Sequence, residues 1–273
     1  AHASVLAIMS QYRRDKKLAP VQLVIVATGR EAEETAAALR NLDPECEILE
    51  FQSWETLPHE RLSPNAETVG KRLQVLHRLR ELTHNTSAGT LGHNVYVISS
   101  IRAALQPVIA GLAEHPPLVL ERGKNYLLPE LSLKLVEHAY HRVDMVTRRG
   151  EFAVRGGILD IFATTAEHAV RLEFFGDELD EIRLFSVTDQ RSIEAVNSQT
   201  GEITSLIDAI EIYAACEIII TPSVANRARR LGCRYRRRQR SNRPECRRIQ
   251  NPRRIQNRNQ RQTTFHNQPI RCR

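Results

Sequence analysis

Between Glu151 and Ser186 the chain reads EFAVRGGILDIF, then ATTAEHA, then VRLEFFGDELDEIRLFS, and no other stretch leaves it fewer ways to fold. Four short runs rich in Val, Ile, Leu and Phe are separated by Gly-Gly, a polar loop and Gly-Asp, the pattern of strands joined by tight connections. A small antiparallel sheet is the expected result. Side chains on a strand alternate between faces, so Val170, Leu172 and Phe174 point one way while Arg171, Glu173 and Phe175 point the other. The first run repeats this, with Phe152 and Val154 opposite Ala153 and Arg155. An aromatic on a charged face either packs under a neighbouring element as core or waits for a partner, and pattern alone leaves both open. If the runs pair as hairpins, Arg155, Arg171 and Phe175 share one exposed patch of two guanidinium groups and a ring. These residue types dominate binding hot spots, because the planar fork pairs bidentately with carboxylates and the ring buries much area at little entropic cost.

Upstream the periodicity is of another kind. Residues 3 to 14 repeat as a helix, and VQLVIVA (Val21 to Ala27) is a continuous apolar run that suits a strand buried on both faces. REAEETAAALRNL follows as a helix with Leu39 and Leu42 on one side. Glu47 to Phe51 reads as a strand, Ala66 to Leu82 as a helix, and Val95 to Ser99 as a strand leading into a helix from about Ser100. Alternating strands and helices predict a parallel sheet flanked by helices. Pro116-Pro117 marks a boundary. Beyond it, Leu118 to Glu121 reads as a strand and Pro129 to His138 as a helix opening on Pro and Glu. After the small sheet come Ile203 to Tyr213 and CEIIITP (Cys216 to Pro222), the latter again of the buried-strand type.

Three runs carry a resemblance: RVDMVTRRGEFAVRGGILDIF (Arg142 to Phe162), RLEFFGDELDEIR (Arg171 to Arg183) and FSVTDQRS (Phe185 to Ser192). They resemble the N-terminal module of the bacterial transcription-repair coupling factors (Mfd), itself similar to the damage-verifying excinuclease subunit UvrB. WETLPHERLSP (Trp54 to Pro64) favours the coupling factors, and the resemblance covers roughly Ala1 to Arg227. It implies an α/β, P-loop-like domain with a degenerate nucleotide site (1–116) that is interrupted by a small α+β domain (117–198) and resumed at 199–226. It also implies that the small domain docks the ATPase UvrA, with the contact positions falling on Arg155, Arg171 and Phe175. The motor and polymerase-binding domains, through which such factors engage DNA and RNA polymerase, have no counterpart in this sequence.

The chemistry of the first domain is thin. A P-loop needs a Gly-rich turn whose amides cradle phosphates, then Lys and Ser or Thr. ATGREAEE (Ala27 to Glu34) offers one Gly and acids in the first helical turn, which suit the helix dipole and repel a triphosphate. No nucleotide cofactor, and therefore no enzymatic activity, is expected. The alternative is a piece of a UvrB-like, ATP-dependent repair enzyme. Glu137, His138 and His141 form too small a set for a metal, and the five Cys show no ligand spacing. Ser99, Ser100 and Asp160 have no arranged partners in the sequence. The Trp54 to Pro64 stretch reads as a binding loop or, the reading we favour, as a loop packing Trp54 onto the sheet domain.

Charge divides the chain. Arg227 to Arg273 holds 17 Arg, no Lys and one acid, whereas the remaining 22 basic and 31 acidic residues leave the body net acidic beneath an overall +7. An acidic body does not neutralise phosphates. With five of its 47 residues drawn from Leu, Ile, Val and Phe, the tail has the composition of a disordered segment. RRIQNP is followed at once by RRIQNR, a local repetition, and the abundance of Arg, Gln and Asn with no Lys favours an out-of-frame translation over a basic nucleic-acid arm. No run is long and apolar enough for a membrane span, and a cytoplasmic protein is expected.

Overall fold

The computed structural model describes residues 2–16, 21–57, 60, 62–85, 93–109, 111–193, 195–196, 203–204 and 206–218. In chain order the first elements are α1 (His2–Asp15), β1 (Val21–Val26), α2 (Gly29–Leu42), β2 (Glu47–Phe51), α3 (Ala66–Asn85), β3 (Val95–Ser100) and α4 (Ile101–Leu105). After a 3-10 turn at Leu112–Glu114 come β4 (Leu118–Glu121), α5 (Leu128–Glu137), β5 (His141–Arg142), β6 (Glu151–Arg155), β7 (Ile158–Phe162), β8 (Ala169–Phe175) and β9 (Glu178–Phe185). The short β10 (Ala195–Val196), β11 (Ile203–Thr204) and β12 (Ala209–Ile212) close the series. The chain is mixed α/β, with one parallel sheet and several antiparallel ladders. The Arg-rich stretch from Arg227 lies outside the described residues, as does most of CEIIITP; Cys216 to Ile218 are described and form no strand.

The parallel sheet has the order β1-β3-β2. One face, with Tyr96 and Ile98 of β3, is covered by Ala32, Ala36 and Leu39 of α2 and by Ala3 of α1. All six residues of β3 are buried, as befits a central parallel strand. β1 corrects the sequence expectation. It pairs with β3 alone among the described residues, so it is an edge, and Leu23 is 63% exposed and Ile25 51%. Leu39 is fully buried in α2, but Leu42 sits in the last turn and is largely exposed.

The antiparallel sheet runs in sequence order from β5 to β9. Two-residue turns join two of its hairpins: Arg155 pairs with Ile158 across Gly156-Gly157, and Phe175 with Glu178 across Gly176-Asp177. Gly156 and Gly176 sit at φ 59° and 65°, where a Cβ is strained. On one face Phe152, Leu159, Ile161, Val170, Leu172, Leu179 and Ile182 are buried against Leu131 and Leu135 of α5 and against Leu120, Ile210 and Ile212 of the β4–β12 ladder. Each such side chain contributes roughly 1.5–3 kcal/mol of burial.

β4 and β12 pair antiparallel from Leu118 with Ile212 to Glu121 with Ala209, which sets the strand before the small sheet beside the strand after it. The small sheet also touches α3 closely. A Cβ at Gly70 would collide with the Thr164 side chain, so only glycine permits the approach. Around it, Tyr140 Oη donates to the Tyr213 carbonyl (2.9 Å) and accepts from Thr164 N (3.1 Å), and Arg149 pairs with Glu67 (3.1 Å).

Candidate docking face

The alternation along β6 to β9 holds across the sheet. Register sets Ala153, Asp160, Arg171 and Arg183 side by side, and Arg155, Ile158, Glu173 and Glu181 in the next row. The register shifts at a bulge between Glu173 and Phe174, and Phe175 then pairs with Glu178 at the tip. This is the face opposite the main core. At its other end Val146, Ala153, Phe162, Ala169 and Phe185 form a small second core, leaving the rows toward the tip open.

Phe175 is 83% exposed, so it is not core under a neighbouring helix. It borders a shallow hollow of about 360 Å³ lined by Asn125, Tyr126, Leu127, Asp177 and Glu178. The hairpin tip is held in place by backbone bonds from Tyr126 N to the Asp177 carbonyl (2.7 Å) and from Leu179 N to the Lys124 carbonyl (2.9 Å). The ring is thus displayed on a fixed support.

Arg155 and Arg171 lie on this same face in different states. Arg155 is exposed and donates from Nη2 (2.8 Å) and Nε (3.2 Å) to the carbonyl of Asp144. The loop carrying Asp144 is clamped by Glu151, whose carboxylate accepts from Thr147 N and Arg148 N, each at 2.9 Å. Burial works to raise the Glu151 pKa, but these bonds outweigh it and hold it below the usual range. Arg171 is partly buried, with Nε 2.7 Å and Nη2 2.9 Å from the two oxygens of Asp160, and its guanidinium carbon lies 5.0 Å from the Phe185 ring centre. The bonds to Asp160 raise the Arg171 pKa. Arg183 turns instead to Glu181, with Nε 2.6 Å from Oε2.

Sequence reasoning found the exposed aromatic and the two arginines and missed Asp160. The signal was present in the loop length. A hairpin joining Phe162 to Ala169 with Ile161 opposite Val170 necessarily sets Asp160 opposite Arg171. A second buried ion pair was also missed. Arg72 of α3 is fully buried between Phe51 (4.2 Å) and Trp54 (5.1 Å), with its Nε 2.6 Å from Glu217. Trp54 Nε1 donates to the same oxygen at 2.9 Å, so Trp54 is seated on α3 and the returning chain rather than on the small sheet.

Elsewhere the chemistry is sparse. At the start of α2, Thr28 Oγ1 accepts from Glu31 N (3.2 Å) and Glu31 Oε2 from Ala27 N (3.0 Å), so donors that face phosphate in a nucleotide site are engaged by the chain itself. A groove of about 600 Å³ runs along β2, but its ions pair with one another: Arg40 with Glu50, and Arg78 with Glu47 and Glu81. Among the described residues no group of three or more His, Cys, Asp or Glu is placed to hold a metal, and no helix is long and apolar enough to cross a membrane.

Comparison with known proteins agrees with the resemblance in the sequence. Residues 118–201 match the family described as the UvrB interaction domain. The chain is 47% identical over 213 residues to the transcription-repair-coupling factor of Mycobacterium tuberculosis, covering 78% of this chain and 16% of that protein. It is 33% identical over 198 residues to the factor of Bacillus subtilis, covering 72% and 15%. The UvrABC system protein B of Bacillus cereus is 33% identical over 172 residues, covering 59% and 23%. The chain thus spans about a sixth of the length of the coupling factors it matches.

Proposed function

We propose, for a chain that carries a UvrB interaction domain and is related to the transcription-repair coupling factors, that it is a non-catalytic adaptor which recruits UvrA in transcription-coupled nucleotide excision repair. The observation that carries this reading is Phe175, a large aromatic almost fully in solvent on a braced hairpin tip, beside arginines on one sheet face. Apolar area of that kind is stabilising only when a partner covers it. In this reading Phe175 enters an apolar pocket of UvrA, and Arg155 and Arg171 meet acceptors around it. The domain boundaries follow the same reading. The β4–β12 ladder supports a small domain inserted at 117–198 into an α/β domain formed by 1–116 and 199–226. Contacts with RNA polymerase and DNA belong to other parts of a full-length factor.

The test is a titration of purified UvrA against this chain and its Phe175→Ala variant. Affinity is expected to fall by about 2 kcal/mol or more, as for a central hot-spot residue, with stability changed by no more than about 0.5 kcal/mol. Equal affinity in the two proteins would remove Phe175 from the docking surface. The competing reading, a UvrB-like ATP-dependent enzyme, predicts nucleotide binding. The capped start of α2 argues against it, and calorimetric titration with magnesium and ATP is expected to give no heat of binding. Saturable heat would reverse the choice.

A further inference from the structure

The pair between Asp160 and Arg171 stands out on the docking face for its cost. The Asp160 side chain is 3% exposed, and a carboxylate at that depth loses most of its hydration. For stability alone such a pair is replaceable, since well-packed apolar residues of similar volume often do as well. What the pair supplies is direction. Asp160 takes Nε and Nη2 in a side-on fork, which spends two of the five N–H donors of the guanidinium. Among the described residues the other three have no hydrogen-bond partner. Phe185 flanks the group at 5.0 Å, and the cross-strand neighbour Arg183, a like charge, is drawn aside by Glu181. On the other side of Asp160 the strand position is occupied by Ala153, whose methyl group has no donor to offer the carboxylate.

We propose that Asp160 is a positioning residue of the docking surface, fixing the Arg171 guanidinium so that its free donors meet a carboxylate or carbonyl on UvrA. This rests on the reading that the charged face docks UvrA. A long side chain held in place before contact loses less freedom on binding, and a planar fork held at one angle selects a planar acceptor. Asp160 itself need touch nothing on the partner.

The experiment is a double-mutant cycle read by UvrA binding, each variant first shown to melt cooperatively. Arg171→Ala is expected to weaken binding about 30-fold, the scale of a central hot-spot residue. Asp160→Asn is expected to weaken it about tenfold, and the double variant to bind no more weakly than Arg171→Ala alone, because Asp160 acts only through the arginine. The exchanged pair Asp160→Arg with Arg171→Asp keeps an ion pair in the sheet but moves the guanidinium one strand over, and is expected to bind as poorly as Arg171→Ala. Wild-type affinity in Asp160→Asn beside a weakened Arg171→Ala would overturn the proposal and leave the docking reading standing. The same loss from Asp160→Asn in the Arg171→Ala background would also overturn it, by showing an effect on the fold. Undiminished binding by Arg171→Ala would remove this arginine from the docking surface and the proposal with it. Should Asp160→Asn not fold, Arg171→Lys carries the test, since an ammonium keeps the charge but cannot span both oxygens. Wild-type binding by that variant would overturn the proposal.

Discussion

Leu23 and Leu172 each sit in mid-strand, yet one is 63% exposed and the other fully buried. The two sheets differ in how they are bordered. Leu172 lies on β8, with β7 and β9 on either side and α5 packed across the face. Leu23 lies on β1, which among the described residues has β3 on one side alone. A strand pattern specifies which side chains share a face; whether that face is covered depends on what lies next to it. Strands β6 to β9 are joined by short hairpin connections that bring their own neighbours with them, whereas each strand of a parallel sheet must recruit neighbours across a crossover.

The strongest challenge to this contrast is Leu172→Ala, expected to destabilise the protein by about 2–5 kcal/mol through the cavity left under α5, as measured by denaturant unfolding. A loss no larger than that of an exposed leucine would mean that the sheet relaxes into the gap. The next concerns the junction where the small sheet meets β12 and α3. Burial pushes the Tyr140 phenol up to about 12, while its hydrogen bond with Thr164 works the other way. The unfolded chain ionises near 10, so the folded state holds its proton longer. The stabilisation is therefore complete below about pH 10 and is lost as pH rises toward 12, and each tenfold difference in proton affinity between the folded and unfolded chain is worth roughly 1.4 kcal/mol. Tyr140→Phe is expected to flatten stability between those pH values, although the lost bonds lower it throughout. An unchanged slope would place the alkaline sensitivity elsewhere, for instance at Tyr213, whose pKa burial also raises. The smallest effect is expected from Leu23→Lys, within about 0.5 kcal/mol of the parent, since the side chain already meets water. A loss of several kcal/mol there would erase the contrast between the sheets.

The face that carries Arg155, Arg171 and Phe175 was legible because it is local. Alternation along 151–175 and two Gly turns are enough to place Arg155, Arg171 and Phe175 on one side. The partner of Arg171 was legible only to someone who fixed the register first, because Asp160 is separated from it by a polar loop and gains its meaning across strands. The exposure of β1 and the seat of Trp54 were not legible. VQLVIV has the composition of a central strand, and nothing in its letters tells that an edge lies beside it. Trp54 meets Glu217 across 163 residues of chain, a contact that depends on how the small sheet is joined to the rest.

That joining has a consequence for how freely such a module can be moved. Where the strands before and after a long segment pair side by side, as at Leu118 and Ile212, the backbones stand about 5 Å apart. For chain closure alone, everything between them counts as one turn, and loop-closure entropy depends only weakly on how long that turn is. A segment exchanged there, by recombination or by an engineer's hand, therefore meets little resistance from the chain's connectivity; what it must reproduce is the fit of its side chains against Leu120, Ile210 and Ile212 and the close approach at Gly70.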